Sequence, residues 1–168
     1  METYAGPARS GHKPGYLGPY FALATFAGIR PSVRDGEIRK IQEFADKDLI
    51  IDRKVGVIRI TPDIAKTNDL RQTTIQPNLA AWLARYPIAE HPLIVRNAMD
   101  HVGLVRKRFE LTDDVLRHTF ISMYVGTFKS VGAGALEAGN SEAIVKKHYL
   151  NRVTDADAQA FWGIVPQE

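Results

Sequence analysis

The stretch LRHTF, residues 116 to 120, sets Arg117 and His118 side by side in an otherwise apolar run. Both side chains are competent to bind phosphate, and a guanidinium is the stronger candidate because it stays protonated and offers a planar fork to two oxygens. The plainer alternative has Arg117 snorkelling to solvent and His118 hydrogen-bonded in the core. A Lys-Ser pair in VGTFKS, 125 to 130, looks like the end of a phosphate loop, but it lacks the glycine before the lysine and the full spacing. The chain has no cysteine, which excludes disulfides and zinc–thiolate sites. Any chemistry therefore falls to Tyr, His, Lys, Arg, Asp, Glu, Ser or Thr.

A chain of 168 residues with 45% hydrophobic and 24% charged content predicts one folded domain with a real core. No window approaches the roughly 18 consecutive apolar residues of a membrane span, and the basic, polar N-terminus has no apolar signal region. A soluble cytoplasmic protein with no membrane partner is expected. The net charge of +3 leans toward a polyanionic partner. The charge is clustered: Arg39 and Lys40, Arg53 and Lys54, Arg106 to Arg108, and Lys146 to His148 form separate basic knots, each of which alone reads as a solvated surface.

The elements that would position these groups follow from periodicity. Residues 1 to 15 are rich in Gly, Pro and small polar residues and read as a flexible lead. The run YFALATFAG, 20 to 28, predicts a buried helix stopping at Gly28, and Ile38, Ile41 and Phe44 space a second, amphipathic helix. LIID (49 to 52), a turn at 53 to 56 and VIRITP (57 to 62) predict a hairpin, with a third strand at 71 to 76 after a polar tip at 65 to 70. A helix capped by Asn78, a loop from 87 to 92 and a helix over 97 to 109 come next. In the last third, Thr112 or Asp113 caps a helix running to Gly126, and Gly132 and Gly134 bracket a short segment. Ser141 caps a helix over 141 to 150, and Thr154 caps a last one with Asp157 at the capping-box position. No internal repeat is visible.

In this order the chain resembles the catalytic domain of tyrosine recombinases, the phage-type integrases, whose chemistry is shared with type IB topoisomerases. The family pattern is an Arg after the first buried helix, a Lys at a hairpin tip, His-x-x-Arg-His, Gly-His or Gly-Trp, and a Tyr. It is matched here by FAGIRP with Arg30, AKTNDLR with Lys66, DVLRHTF with Arg117, and AGNSEAIVKKHY with Gly139, Asn140 and Tyr149. The nine residues from Asn140 to Tyr149 equal the family spacing, and the likeness runs from about Tyr16 to the end. It implies an α+β fold, mainly helical with a small three-stranded antiparallel sheet, spanning 16 to 168. It also implies site-specific DNA recombination or integration with no cofactor and no metal. Tyr149 would attack a phosphodiester, Arg30 and Arg117 would clamp its nonbridging oxygens, Lys66 would protonate the leaving 5′ oxygen, and His118 would support Arg117. The product would be a 3′-phosphotyrosyl intermediate. Tyrosine, with a reference pKa near 10, needs such surroundings to act at neutral pH. His148 lies about 100° around the helix from Tyr149 and is a poor candidate for its base.

Two positions depart from the pattern. Asp114 stands where the family has His or Lys three residues before the Arg: a carboxylate can take the tyrosine proton, but it repels phosphate by about 3 kcal/mol at about 5 Å and an effective dielectric of about 20. Its plainer role is to favour the helix N-terminus. Asn140 occupies the Gly-His slot, where an amide can donate to a phosphate oxygen but cannot shuttle a proton. Activity would be reduced, or lost in a decayed enzyme. The separate helical core-binding domain that usually precedes the catalytic one has no counterpart before Tyr16. The implied partner is double-stranded DNA in a bacterial or phage setting, with a monomer off DNA and a tetramer on paired sites, and Phe161, Trp162 and Ile164 are possible anchors on a neighbouring protomer. The competing class is a noncatalytic module in which the last helices imitate a helix-turn-helix.

Overall fold

The computed structural model describes residues 14–32, 36–44, 46–91, 98–112, 114–148 and 153–167. The apolar run forms α1, Gly18–Phe26, and every residue of it but Thr25 is buried, as befits a helix with no polar face. The helix stops before Gly28, at the C-cap Ala27, and the amides of Ala27 and Ile29 both donate to the Leu23 carbonyl at 3.2 Å. Gly28 turns the chain with φ 61, and a Cβ there would lie 2.5 Å from the Phe120 ring. Glycine is therefore required twice over, for conformation and for space.

Helix α2, Glu37–Glu43, buries Ile38 and Ile41, with Phe44 at its C-cap. The sheet has the order β1 (Ile51–Asp52), β2 (Val57–Ile60), β3 (Arg71–Thr74), all antiparallel, with Ile58 opposite Thr73. The first strand is shorter than expected, because the Ile50 and Ile51 amides both turn back to the Lys47 carbonyl. The third strand ends at Thr74, since Gln76 already caps α3, Pro77–Arg85. This corrects Asn78 as the cap: Pro77, with φ preset for the first helical turn, starts the helix two residues earlier than that cap would and puts Asn78 inside it, buried. Helix α4 is Ala98–Arg108.

Helix α5, Val115–Phe128, runs on through Gly126 to a left-handed Lys129. Gly126 is not a stop but a point of close approach, where a Cβ would meet the Val153 side chain at 2.8 Å. Its N-cap is Asp114, not Thr112, and Asp113 lies outside the described residues. Helix α6, Val131–Ala138, is capped by the Ser130 side chain and contains both Gly132 and Gly134 rather than being bracketed by them. At Gly134 a Cβ would meet Val125 at 2.7 Å, so α5 and α6 pack closely there. Helix α7, Glu142–His148, is capped as expected by Ser141, whose hydroxyl accepts the Ile144 amide. The expected continuation to residue 150 lies outside the described residues, as do residues 1 to 13 of the lead. Helix α8, Asp155–Trp162, begins with the Thr154–Asp157 capping box.

About half of the described residues are helical. One apolar cluster gathers α1, α2, the sheet, α3 and α4, a second gathers α5, α6 and α7, and Trp162 packs against both. Phe161 is 5% exposed and packs on Phe26 at 5.3 Å, while the Trp162 indole donates to the Thr127 hydroxyl at 2.7 Å. Those two proposed anchors are thus spent within their own domain, and Ile164 alone of the three stays exposed. No described helix is long and apolar enough to cross a membrane.

Candidate functional site

The turn at Gly28 carries the chain from the buried end of α1 to Arg30, which faces the first turn of α2. There Glu37 is fully buried and takes four donors: the Arg30 amide at 3.1 Å, the Arg30 guanidinium at 2.9 Å, and both terminal nitrogens of Arg71 at 2.8 and 2.5 Å. Burial pushes the Glu37 carboxyl upward, but the hydrogen bonds and charges of Arg71 and Arg30 outweigh it and hold the pKa down at about 2. The carboxylate is therefore ionised at neutral pH, binding one cation from the α1–α2 connection and one from the start of β3.

Arg71 links this pair to the other end of the site. Its side chain is 7% exposed and lies under the α6–α7 turn, where Gly139 has φ 63 and a Cβ would meet Arg71 Cδ at 2.8 Å. The same turn is fastened to β3 by Glu137, whose carbonyl accepts from the Thr73 hydroxyl and whose carboxylate accepts the Thr74 amide and hydroxyl. Next in the chain, Asn140 Oδ1 accepts from Arg117 Nη2 at 3.2 Å. Arg117 also donates to the Gly28 carbonyl at 2.5 Å and to the Ala138 carbonyl. The sequence Arg30, Glu37, Arg71, Gly139, Asn140, Arg117 is thus a closed ring of contacts, completed through Gly28.

Of the residues singled out from sequence, Arg30, Arg117 and Asn140 come together in this ring. Arg117 is 3% exposed, so it does not snorkel but joins the ends of α1 and α6. With its oxygen toward Arg117, the Asn140 amide presents its NH2 group on the opposite side. Lys66 stands exposed on the connection between β2 and β3 and is not among the groups that converge. Asp114 is exposed with φ 58 and makes no side-chain cap bond; its carbonyl, not its carboxylate, receives the His118 amide at 2.8 Å. Asp114 thus stands at the helix N-terminus, as its plainer role expects, but without a side-chain bond to the first turn. His118 is exposed, which removes the alternative of a core histidine. Tyr149 lies outside the described residues.

Sequence reasoning missed Glu37 and Arg71, though each carries a signal. Glu37 precedes Ile41 by four residues and Phe44 by seven, so it occupies the apolar stripe of its helix. Arg71 shares its strand face with Thr73, which is fully buried. A charged residue at an inward position needs a partner of opposite sign. Comparisons of the chain with models of known families, with curated proteins and with solved structures found no match.

Proposed function

We propose that this chain is a tyrosine-recombinase catalytic domain that breaks and rejoins double-stranded DNA. The observation that carries the reading is the ring itself: Arg30, on the α1–α2 connection, and Arg117, on α5, are matched to the family from sequence alone and are far apart in the chain, yet Arg117 bonds the Gly28 carbonyl two residues before Arg30 and the Asn140 side chain as well. In this reading the Tyr149 oxygen attacks phosphorus and the phenolic proton is lost to water. The bond from phosphorus to the 5′ oxygen breaks, and that oxygen leaves with the bonding pair and takes a proton from Lys66. Arg30 and Arg117 stabilise the charge that builds on the nonbridging oxygens, an effect of roughly 10² to 10³ per donor. The Asn140 NH2 adds a neutral donor. Energy stays in the phosphotyrosyl bond, so a 5′ hydroxyl can reverse the step.

The test is a pool of nicked duplexes of randomised sequence, incubated with the wild-type chain and with Tyr149→Phe and resolved by denaturing electrophoresis. A covalent protein–DNA adduct in the wild type and none in the variant is expected. Salt-sensitive DNA binding without any adduct would instead favour the helix-turn-helix-like module or a decayed enzyme.

A further inference from the structure

The segment that carries Lys66 is held at both ends by one helix. Before Lys66, Ile64 and Ala65 are buried, and their amides turn back to the Thr61 carbonyl at 2.9 and 2.8 Å. The Ala65 carbonyl accepts from Lys40 Nζ, one turn into α2, at 3.3 Å. After Lys66, residues 67 to 70 are exposed and Asn68 adopts φ 59, until Arg71 returns the chain to Glu37 in the first turn of the same helix. Lys40 and Glu37 are three residues apart and so lie on one side of α2.

We propose that Lys40 is a positioning residue for Lys66: its ammonium fixes the peptide that launches the Lys66 segment, as the Glu37–Arg71 ion pair holds the residue that ends it. This rests on the reading of Lys66 as the proton donor to the leaving oxygen. A general acid contributes roughly 10² to 10⁴ to such a step, and a displacement of about 1 Å forfeits up to about 10². Arg71 belongs to the ring and its loss would disturb the ring as well. Lys40 touches the Lys66 segment without touching the ring, so its removal isolates the positioning effect.

Two measurements on Lys40→Met and Lys40→Arg decide the matter. The first compares single-turnover cleavage of a duplex recovered from the randomised pool with its 5′-bridging phosphorothiolate form, in which sulfur replaces the leaving oxygen. A thiolate leaves with its electron pair without needing a proton, because thiols have a pKa of about 8.5. Lys40→Met is expected to slow the ordinary duplex about tenfold and the sulfur duplex less than about twofold, with Lys40→Arg restoring most of the rate. Equal slowing of both duplexes, or of neither, overturns the proposal. The second measurement is amide hydrogen exchange, which needs no activity. Lys40→Met is expected to speed exchange at residues 66 to 70 by about fivefold or more while leaving α5 unchanged. If those amides do not respond, the clamp is refuted. If they respond in a chain whose wild type forms no adduct, the clamp stands as a structural device, and both the cleavage reading and the role of Lys40 in it fall.

Discussion

Replacing Glu37 by Gln removes one oxygen's worth of charge and almost no volume, yet it should be among the most damaging changes in the chain. The carboxylate has no exposed surface, and the guanidiniums it binds are 16% and 7% exposed at the side chain, so little water can replace it. The amide would also turn an NH2 toward donors that now find an acceptor. The pKa of Glu37, lowered from 4.5 to about 2, measures how strongly the fold prefers the charged form. At about 1.4 kcal/mol per unit this is about 3 kcal/mol, in line with the ~3–5 kcal/mol typical of breaking a buried pair from one side. The sign of the pH dependence follows from the lowered value. The stabilisation is fully present above the unfolded pKa and is lost as pH falls through the folded one, so the window is about 4.5 down to about 2. Urea unfolding of wild type and Glu37→Gln at pH 7 should differ by about 3 kcal/mol, and the gap should narrow by about 1 kcal/mol at about pH 3.5. A gap below about 1 kcal/mol at pH 7, or one that does not narrow with acid, would refute the role given to this carboxylate.

The two glycine turns should respond differently to the same change. Gly28→Ala meets both a left-handed backbone and the Phe120 ring, for an expected loss of about 3 kcal/mol. Gly56→Ala, at φ 80 with nothing within 4 Å, should lose only about 1 kcal/mol, so equal losses in urea unfolding would contradict the packing argument. Phe161→Ala should lower stability by about 3–5 kcal/mol in thermal unfolding, as expected for a ring packed on Phe26 and Trp162; a loss within about 0.5 kcal/mol would mean that α8 does not pack on its own domain.

How much of this was legible in the sequence depended on whether a signal was local. The all-apolar run of α1, the Ser141 cap and the Thr154 capping box are each written within a few residues, and each appears where expected. The glycines misled because their spacing looks like punctuation, whereas Gly126 and Gly134 are helical residues whose missing side chains admit Val153 and Val125. Only tertiary packing distinguishes those two uses of glycine. At the site, Arg30, Arg117 and Asn140 were found by resemblance of pattern, but Glu37 and Arg71 were not, because a salt bridge across 34 residues leaves no mark at either end beyond a charge on an inward face.

The ring holds its cations in two ways. Arg30 and Arg71 share one formal counter-charge, Glu37, while Arg117 meets the carbonyls of Gly28 and Ala138 and the Asn140 amide. Those carbonyls lie just beyond the end of α1 and at the last residue of α6, where the helix dipole is negative. Dipoles of this kind help to hold a guanidinium in place. A buried cation is costly unless it is paired or hydrogen-bonded. Glu37 meets that cost for Arg30 and Arg71 from one side of the ring, and the carbonyls at two helix ends help to meet it for Arg117 from the other, so the geometry of the ring depends on both α2 and the ends of α1 and α6.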